Sequence, residues 1–162
     1  MATKDIAYLK GANRDFNNLI DSMLPAPVVL TDKAAVTLTK DGNQGRVNVV
    51  PDLTADSVFT VPAPAGAGEW YKFVAGGAAA DAHDFGLSLG TGNSIYFKGG
   101  IMWVNQNNTS DDGISIWSDG DSNELLTMEA PESFEINILS TSTTVWYLWG
   151  WVGAVAVPTI GD

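Results

Sequence analysis

Residues 53–74, LTADSVFTVPAPAGAGEWYKFV, read as strand, corner, strand. Residues 58–61 are β-branched and aromatic, the types that fit a pleated, half-buried surface, and Pro62 ends the run because it cannot donate to a ladder. Pro62-Ala63-Pro64 is held extended, Gly66 and Gly68 free the backbone to reverse, and residues 70–74 resume as a second strand. Nothing in the stretch is equipped for chemistry, so it is architecture.

Outward from this corner the chain keeps period two. Towards the N-terminus, residues 36–39 alternate, Asp41-Gly42 and Asn43-Gln44-Gly45 supply turn chemistry, and residues 46–50 return as RVNVV, which predicts a hairpin. Towards the C-terminus, strands are expected at 85–89, 94–98, 101–105, 114–118, 124–128 and 134–139, with Gly99-Gly100 as a break. Residues 145–152 are apolar on both faces and close the series, as a central strand or one whose outer face meets a neighbouring subunit. No internal repeat is visible. About ten short strands with frequent turns predict an all-β domain, a jelly-roll-like β-sandwich or barrel spanning 28–162.

Residues 1–27 are different. Ile6, Leu9, Phe16, Leu19, Ile20, Met23 and Leu24 recur at helical spacing, and Pro25-Ala26-Pro27 separates them from the strands. Gly11 weakens the helix by about 1 kcal/mol relative to alanine. The expectation is a short N-terminal helical arm that either caps the domain's own core or docks on a partner.

Composition narrows function. A chain of 162 residues without cysteine fits one domain that folds without staples in a reducing cytoplasm, with no thiolate chemistry. The N-terminus lacks the apolar core of a secretory signal. The longest apolar run, 145–157, is too short to cross a bilayer as a helix, which takes about 20 residues. A net charge of −11 disfavours phosphate-backbone binding, and all eight basic residues lie at or before Lys98. No membrane or nucleic-acid partner is expected.

Each chemical motif has a plainer reading. Gly86-Leu87-Ser88-Leu89-Gly90 matches the G-x-S-x-G elbow, but it lies in a strand, and the single histidine, His83, precedes Ser88. His83, beside Asp81 and Asp84, reads as a solvated loop residue. Gly90-Thr91-Gly92 lacks the third glycine of a phosphate turn. Asp119, Asp121 and Asn123 have the alternate spacing of a calcium loop, which Asp111 and Asp112 could join, but the glycine and glutamate of such a loop are misplaced. The sequons at Asn107 and Asn108 matter only if the chain is secreted. Trp70, Trp103, Trp117, Trp146, Trp149 and Trp151 could line a sugar-binding face, the alternative being core and subunit interface. No catalytic set, cofactor or metal site is expected.

The corner F-T-V-P-A-P-A-G-x-G-x-W-Y-x-F-V at 59–74, the later short strands with D-G and G-D turns, and the closing W-Y-x-W-G-W at 146–151 together resemble small virion proteins of tailed bacteriophages, of the capsid decoration or head-fibre type. The likeness covers about residues 34–152. It implies a non-enzymatic structural protein, assembled in the host cytoplasm, that binds the major capsid protein on the outside of the finished head, often as a trimer. The surfaces expected to make partner contacts are Ile6, Leu9, Phe16, Leu19, Ile20 and Leu24 on the arm, and Trp146, Trp149 and Trp151 on the last long strand. The reading from another class is a carbohydrate-binding fibre-tip or lectin-like module.

Overall fold

In the computed structural model, residues 25–77, 82–106 and 113–162 are described. The arm residues Ile6, Leu9, Phe16, Leu19, Ile20 and Leu24 lie outside them, as do Asp81, Asn107, Asn108, Asp111 and Asp112. Among the described residues, twelve strands form two mixed sheets packed face to face. The strands are β1 (Val28–Val29), β2 (Ala35–Thr37), β3 (Val47–Val50), β4 (Ser57–Thr60), β5 (Trp70–Ala75), β6 (Phe85–Ser88), β7 (Tyr96–Asn105), β8 (Ile114–Trp117), β9 (Leu125–Met128), β10 (Ser133–Ser140), β11 (Val145–Ala154) and β12 (Thr159–Gly161). One sheet has seven strands in the order β1-β3-β5-β10-β11-β7-β8, and the other has five in the order β12-β9-β6-β4-β2.

The expected β-sandwich is what forms, but its pairing is mixed. Jelly rolls are built from antiparallel strands, whereas half of the ten strand pairings here are parallel. The cause lies in the first six strands, which alternate between the sheets. β1, β3 and β5 stack in parallel in one sheet, and β2, β4 and β6 do so in the other. The chain therefore winds around the core like a short solenoid before β7–β12 complete both sheets.

The predicted hairpin at 36–50 does not form, because β2 and β3 belong to opposite sheets. Between them Thr39 caps a single helical turn, α1 (Lys40–Asn43), its hydroxyl accepting from the Gly42 N–H at 3.1 Å. That turn and the residues after it give the chain the reach to cross sheets about 10 Å apart. The crossing is fixed from inside. Asn48 on β3 is fully buried; its Oδ1 accepts from Asn43 Nδ2 at 2.9 Å, and its Nδ2 donates to the carbonyls of Asn43, Arg46 and Lys72 at 3.1–3.3 Å. A buried amide with so many partners satisfies the requirement that interior polar groups be paired.

The corner at 61–69 also crosses between sheets, from β4 to β5. Val61 and Pro64 are buried. Ser140 clamps the corner: its hydroxyl accepts from the Glu69 N–H at 2.8 Å and donates to the Gly66 carbonyl at 2.6 Å. The Glu69 carboxylate accepts from the Ala65 N–H at 3.0 Å and pairs with Lys40 at 2.9 Å.

Gly99-Gly100 does not break the chain, and β7 runs unbroken through both residues. β11 holds one side along its whole length, with Leu148 opposite Gly99 and Trp149 opposite Gly100. Gly99 has φ of +98°, which glycine adopts without penalty. The final strand, β12, adds an edge that the alternation pattern does not reveal.

The core is one cluster between the sheets. Phe85 on β6 centres it, with ring centroids 5.4 Å from Phe59, 6.2 Å from Phe73 and 5.0 Å from Phe134. Phe59 shares its sheet, while Phe73 and Phe134 reach it from the other.

Candidate functional site

β11 is the middle of the candidate site. It lies between β10 and β7 and exchanges hydrogen bonds on both edges, so its side chains are placed by the rigid centre of the seven-stranded sheet. Period two then decides their fate. Trp146, Leu148 and Val152 point into the core, and Tyr147, Trp149 and Trp151 point out.

This corrects one expected contact residue. Trp146 is 0 % exposed and packs edge to face on Tyr71, with centroids 5.5 Å apart, so it has no surface to offer a partner. Trp149 and Trp151 are each 43 % exposed. Of the other tryptophans, Trp103 is buried with its Nε1 donating to the Ala154 carbonyl at 3.0 Å, whereas Trp70 and Trp117 are exposed. The six indoles thus divide between core and surface, and three of the exposed ones meet.

Strand register builds the meeting place row by row. In one row Lys72, Asn137, Trp149, Gly100 and Trp117 stand side by side across β5, β10, β11, β7 and β8. In the next stand Val74, Glu135, Trp151, Met102 and Ser115. Gly100 leaves a gap in the first row that Trp117 uses. A β-carbon on Gly100 would meet the Ile116 carbonyl oxygen and lie 2.9 and 3.0 Å from indole atoms Cε3 and Cδ2 of Trp117, so any larger residue would push against the β8 backbone and the ring alike. Trp117 lies over the glycine and is 67 % exposed.

The result is a groove of about 400 Å³ on the outer face of the sheet, within the range of about 300–1,000 Å³ usual for small-molecule sites. Trp117, Trp149, Trp151 and Met102 supply its apolar surface; Glu135, Asn137 and Ser115 supply polar groups. Lys72 and Asn137 fix the carboxylate: Lys72 Nζ lies 2.9 Å from Glu135 Oε1, and Asn137 Nδ2 donates to the same oxygen at 3.2 Å. These hydrogen bonds, that from Lys72 first, hold the Glu135 carboxyl below its usual pKa. It is therefore an anion at neutral pH, with Oε2 still able to accept.

The other motifs resolve into local structure. The Asp119 carboxylate accepts from the N–H groups of Asp121, Ser122 and Asn123 and from the Ser122 hydroxyl. Those bonds, the one from Asp121 first, lower its pKa to about 2 and make the run 119–123 a self-satisfied turn. Among the described residues, no group of three or more histidine or acidic side chains converges as a metal would require. Ser88 ends β6, its hydroxyl accepting from the Gly90 N–H at 3.0 Å. His83 lies in the bend before the same strand, five residues ahead of Ser88, and its imidazole sits 3.5 Å from Asp56. Ser88 and His83 thus each engage a different partner. Thr91, Gly92, Asp121, Glu124 and Asp162 border a second, acidic cleft, where the Glu124 carboxylate is engaged by the Gly92 N–H at 3.0 Å.

The sequence placed Trp117, Trp149 and Trp151 among six tryptophans that could line one face, without separating these three from the rest, and it missed Gly100, Met102, Glu135, Asn137 and Ser115 as neighbours. The run of aromatic residues on both faces of β11 was a readable signal. The glycine opposite Trp149 could be found only from register. No protein-family model matches the chain, and no curated protein matches it in sequence.

Proposed function

We propose that this protein works by contact and not by catalysis, as a decoration protein on the outer surface of a bacteriophage head. The observation that carries the reading is the outer face of the seven-stranded sheet. Trp117, Trp149, Trp151, Tyr147 and Met102 remain 43–67 % exposed on it, although the two sheets already share a continuous core. Apolar surface of this kind, beyond what the fold needs for itself, belongs to proteins that act through binding. The resemblance of the corner and of the closing tryptophan segment to phage virion proteins supplies the setting.

On this reading the N-terminal arm holds the major capsid protein, and the sheet face is presented to something else. The order of the strands supports the division. The arm joins at β1, the outermost strand of its sheet, which lies four positions from β11. Binding only the assembled head shifts its equilibrium towards assembly, which is how decoration stabilises a shell. The trimeric state that the resemblance implies is part of the proposal and is read by sedimentation velocity.

The test uses empty heads of the encoding phage and the full chain beside a chain lacking residues 1–24. Decoration by the full chain, and its loss on truncation with an unchanged far-UV circular dichroism spectrum, is the expected result. Undiminished occupancy by the truncated chain overturns the role of the arm. Failure of the full chain to bind heads overturns the decoration reading.

A further inference from the structure

We infer that the groove on the outer face of the seven-stranded sheet is a binding site for neutral glycans, taking pyranose rings against Trp117 and Trp149. The inference deepens the reading above in one respect, since it rests on the sheet face being a binding face, but it does not require that the protein sit on a head.

Three features of the groove select this ligand class. The first is the form of its apolar surface. Trp117 is held over Gly100 while remaining 67 % exposed, and Trp149 stands on the other side of the same glycine. Indoles present flat apolar area at low entropic cost because they have few rotamers to lose. The C–H face of a pyranose ring is a flat apolar surface of matching size.

The second feature is the supply of hydrogen-bonding groups. Glu135 keeps Oε2 as a free acceptor, Asn137 keeps its Oδ1 as an acceptor and one amide N–H as a donor, and Ser115 adds a hydroxyl. Sugar hydroxyls donate and accept at once, so a ring edge can use the whole set. Lys72 and Asn137 already hold Glu135 in place, so little ordering is left for binding to cost. A flat protein surface closing over the groove would instead bury these groups without partners, at a penalty for each.

The third feature is charge. The carboxylate in the groove is an anion, the chain carries −11, and the nearby Lys72 is committed to Glu135. Acidic polysaccharides are therefore disfavoured by the local field as well as by the overall one.

Intrinsic tryptophan fluorescence and calorimetry of the full chain, titrated with cellohexaose, chitohexaose and mannohexaose, test the inference, with hexagalacturonate as the anionic comparison. Saturable binding of at least one neutral hexamer at millimolar concentration or below is expected, with hexagalacturonate at least tenfold weaker. Trp149→Ala and Trp117→Ala should each weaken binding by tenfold or more with circular dichroism unchanged, and Asn137→Ala by several-fold. Trp70→Ala, on the same sheet outside the groove, should leave binding as it was and serves as the control for a merely altered fluorescence. No binding of any neutral hexamer at ten millimolar overturns the inference, and so does equal binding of the anionic one. Binding that survives the Trp117→Ala, Trp149→Ala double variant places the sugar elsewhere and also overturns it. Concentration-dependent self-association that these substitutions abolish and sugar does not compete with would make the face a subunit interface, overturning the glycan reading while leaving decoration of heads to its own test.

Discussion

Among the described residues, Tyr71 and Trp146 are the two side chains with a buried polar atom that the core does not satisfy. The phenol O–H and the indole N–H are both buried and have no hydrogen-bond partner within the protein, although their rings meet edge to face at 70°. An unpaired buried hydroxyl costs about 1–3 kcal/mol of desolvation that no bond returns. Tyr71→Phe keeps the ring and removes the hydroxyl, so the urea midpoint should stay level or rise. Burial first, and the charge of Glu69 second, push the Tyr71 pKa up to about 12. In the unfolded chain the phenol ionises near pH 10. Below about pH 10 both states hold the proton; between about 10 and 12 the unfolded chain releases it first, so stability falls as pH rises through that window. Thermal melts from pH 9 to 11.5 should show the wild type losing more stability than Tyr71→Phe. Parallel losses in the two proteins would remove Tyr71 from the account of alkaline unfolding.

The corner at 61–69 shows at the scale of the element what local sequence can and cannot specify. Its two strands and its extended prolines were legible, because Pro62 and Pro64 dictate backbone angles that no tertiary contact is needed to explain. Its destination was not. The corner leads from one sheet to the other, and what holds it there is Ser140, at the end of β10 and far away in sequence. The same limit explains the missing hairpin at 36–50. Alternation and turn residues mark β2 and β3 correctly, but the two strands go to opposite sheets, and the buried Asn48 bonds of β3, to Asn43 and to the Lys72 carbonyl of β5, are contacts that local pattern does not show. The groove was half legible for the same reason. Periodicity along β11 shows that Trp149 and Trp151 share a face, while only register shows that Gly100 and Asn137 flank Trp149. Ser140→Ala removes the two side-chain hydrogen bonds that tie the corner to β10 and leaves the two backbone ones, from the Gly68 N–H to the Ser140 carbonyl at 2.9 Å and from the Ser140 N–H to the Glu69 carbonyl at 2.8 Å. It leaves the Glu69 N–H and the Gly66 carbonyl without this partner at a site where Ser140 is 1 % exposed. Loss of about 1–3 kcal/mol in urea unfolding is expected, with local hydrogen-exchange protection reduced most at Glu69. A loss below a few tenths of a kcal/mol would mean that the backbone bonds of Gly68 and Glu69 to residue 140, with the Glu69–Lys40 pair and the buried Val61, suffice to hold the corner.

Across the whole molecule, the winding of β1–β6 and the mixed pairing of β7–β12 raise the question of whether the two halves are separable. Packing argues that they are not. Phe85, from the winding half, touches Phe134 from the second half, and β6 pairs with β9 while β5 pairs with β10, so both sheets are sewn across the division. Neither half has a sheet face that it covers alone. Urea unfolding followed by tryptophan fluorescence and by far-UV circular dichroism should therefore give one coincident transition, as expected of a single cooperative domain. Phe85→Ala should lower its midpoint by the equivalent of about 3–5 kcal/mol without splitting it. Refolding should be slow for a chain of this size, because the pairings are remote in sequence: Val28 meets Asn48, and Tyr96 meets Val145. Loop-closure entropy must be overcome before such contacts give anything back, which places folding in the range of milliseconds to seconds or longer. Two resolved transitions in the Phe85→Ala protein, with the far-UV signal persisting after the fluorescence change, would show that the winding half is a folding unit of its own and that the shared core is only its later embellishment.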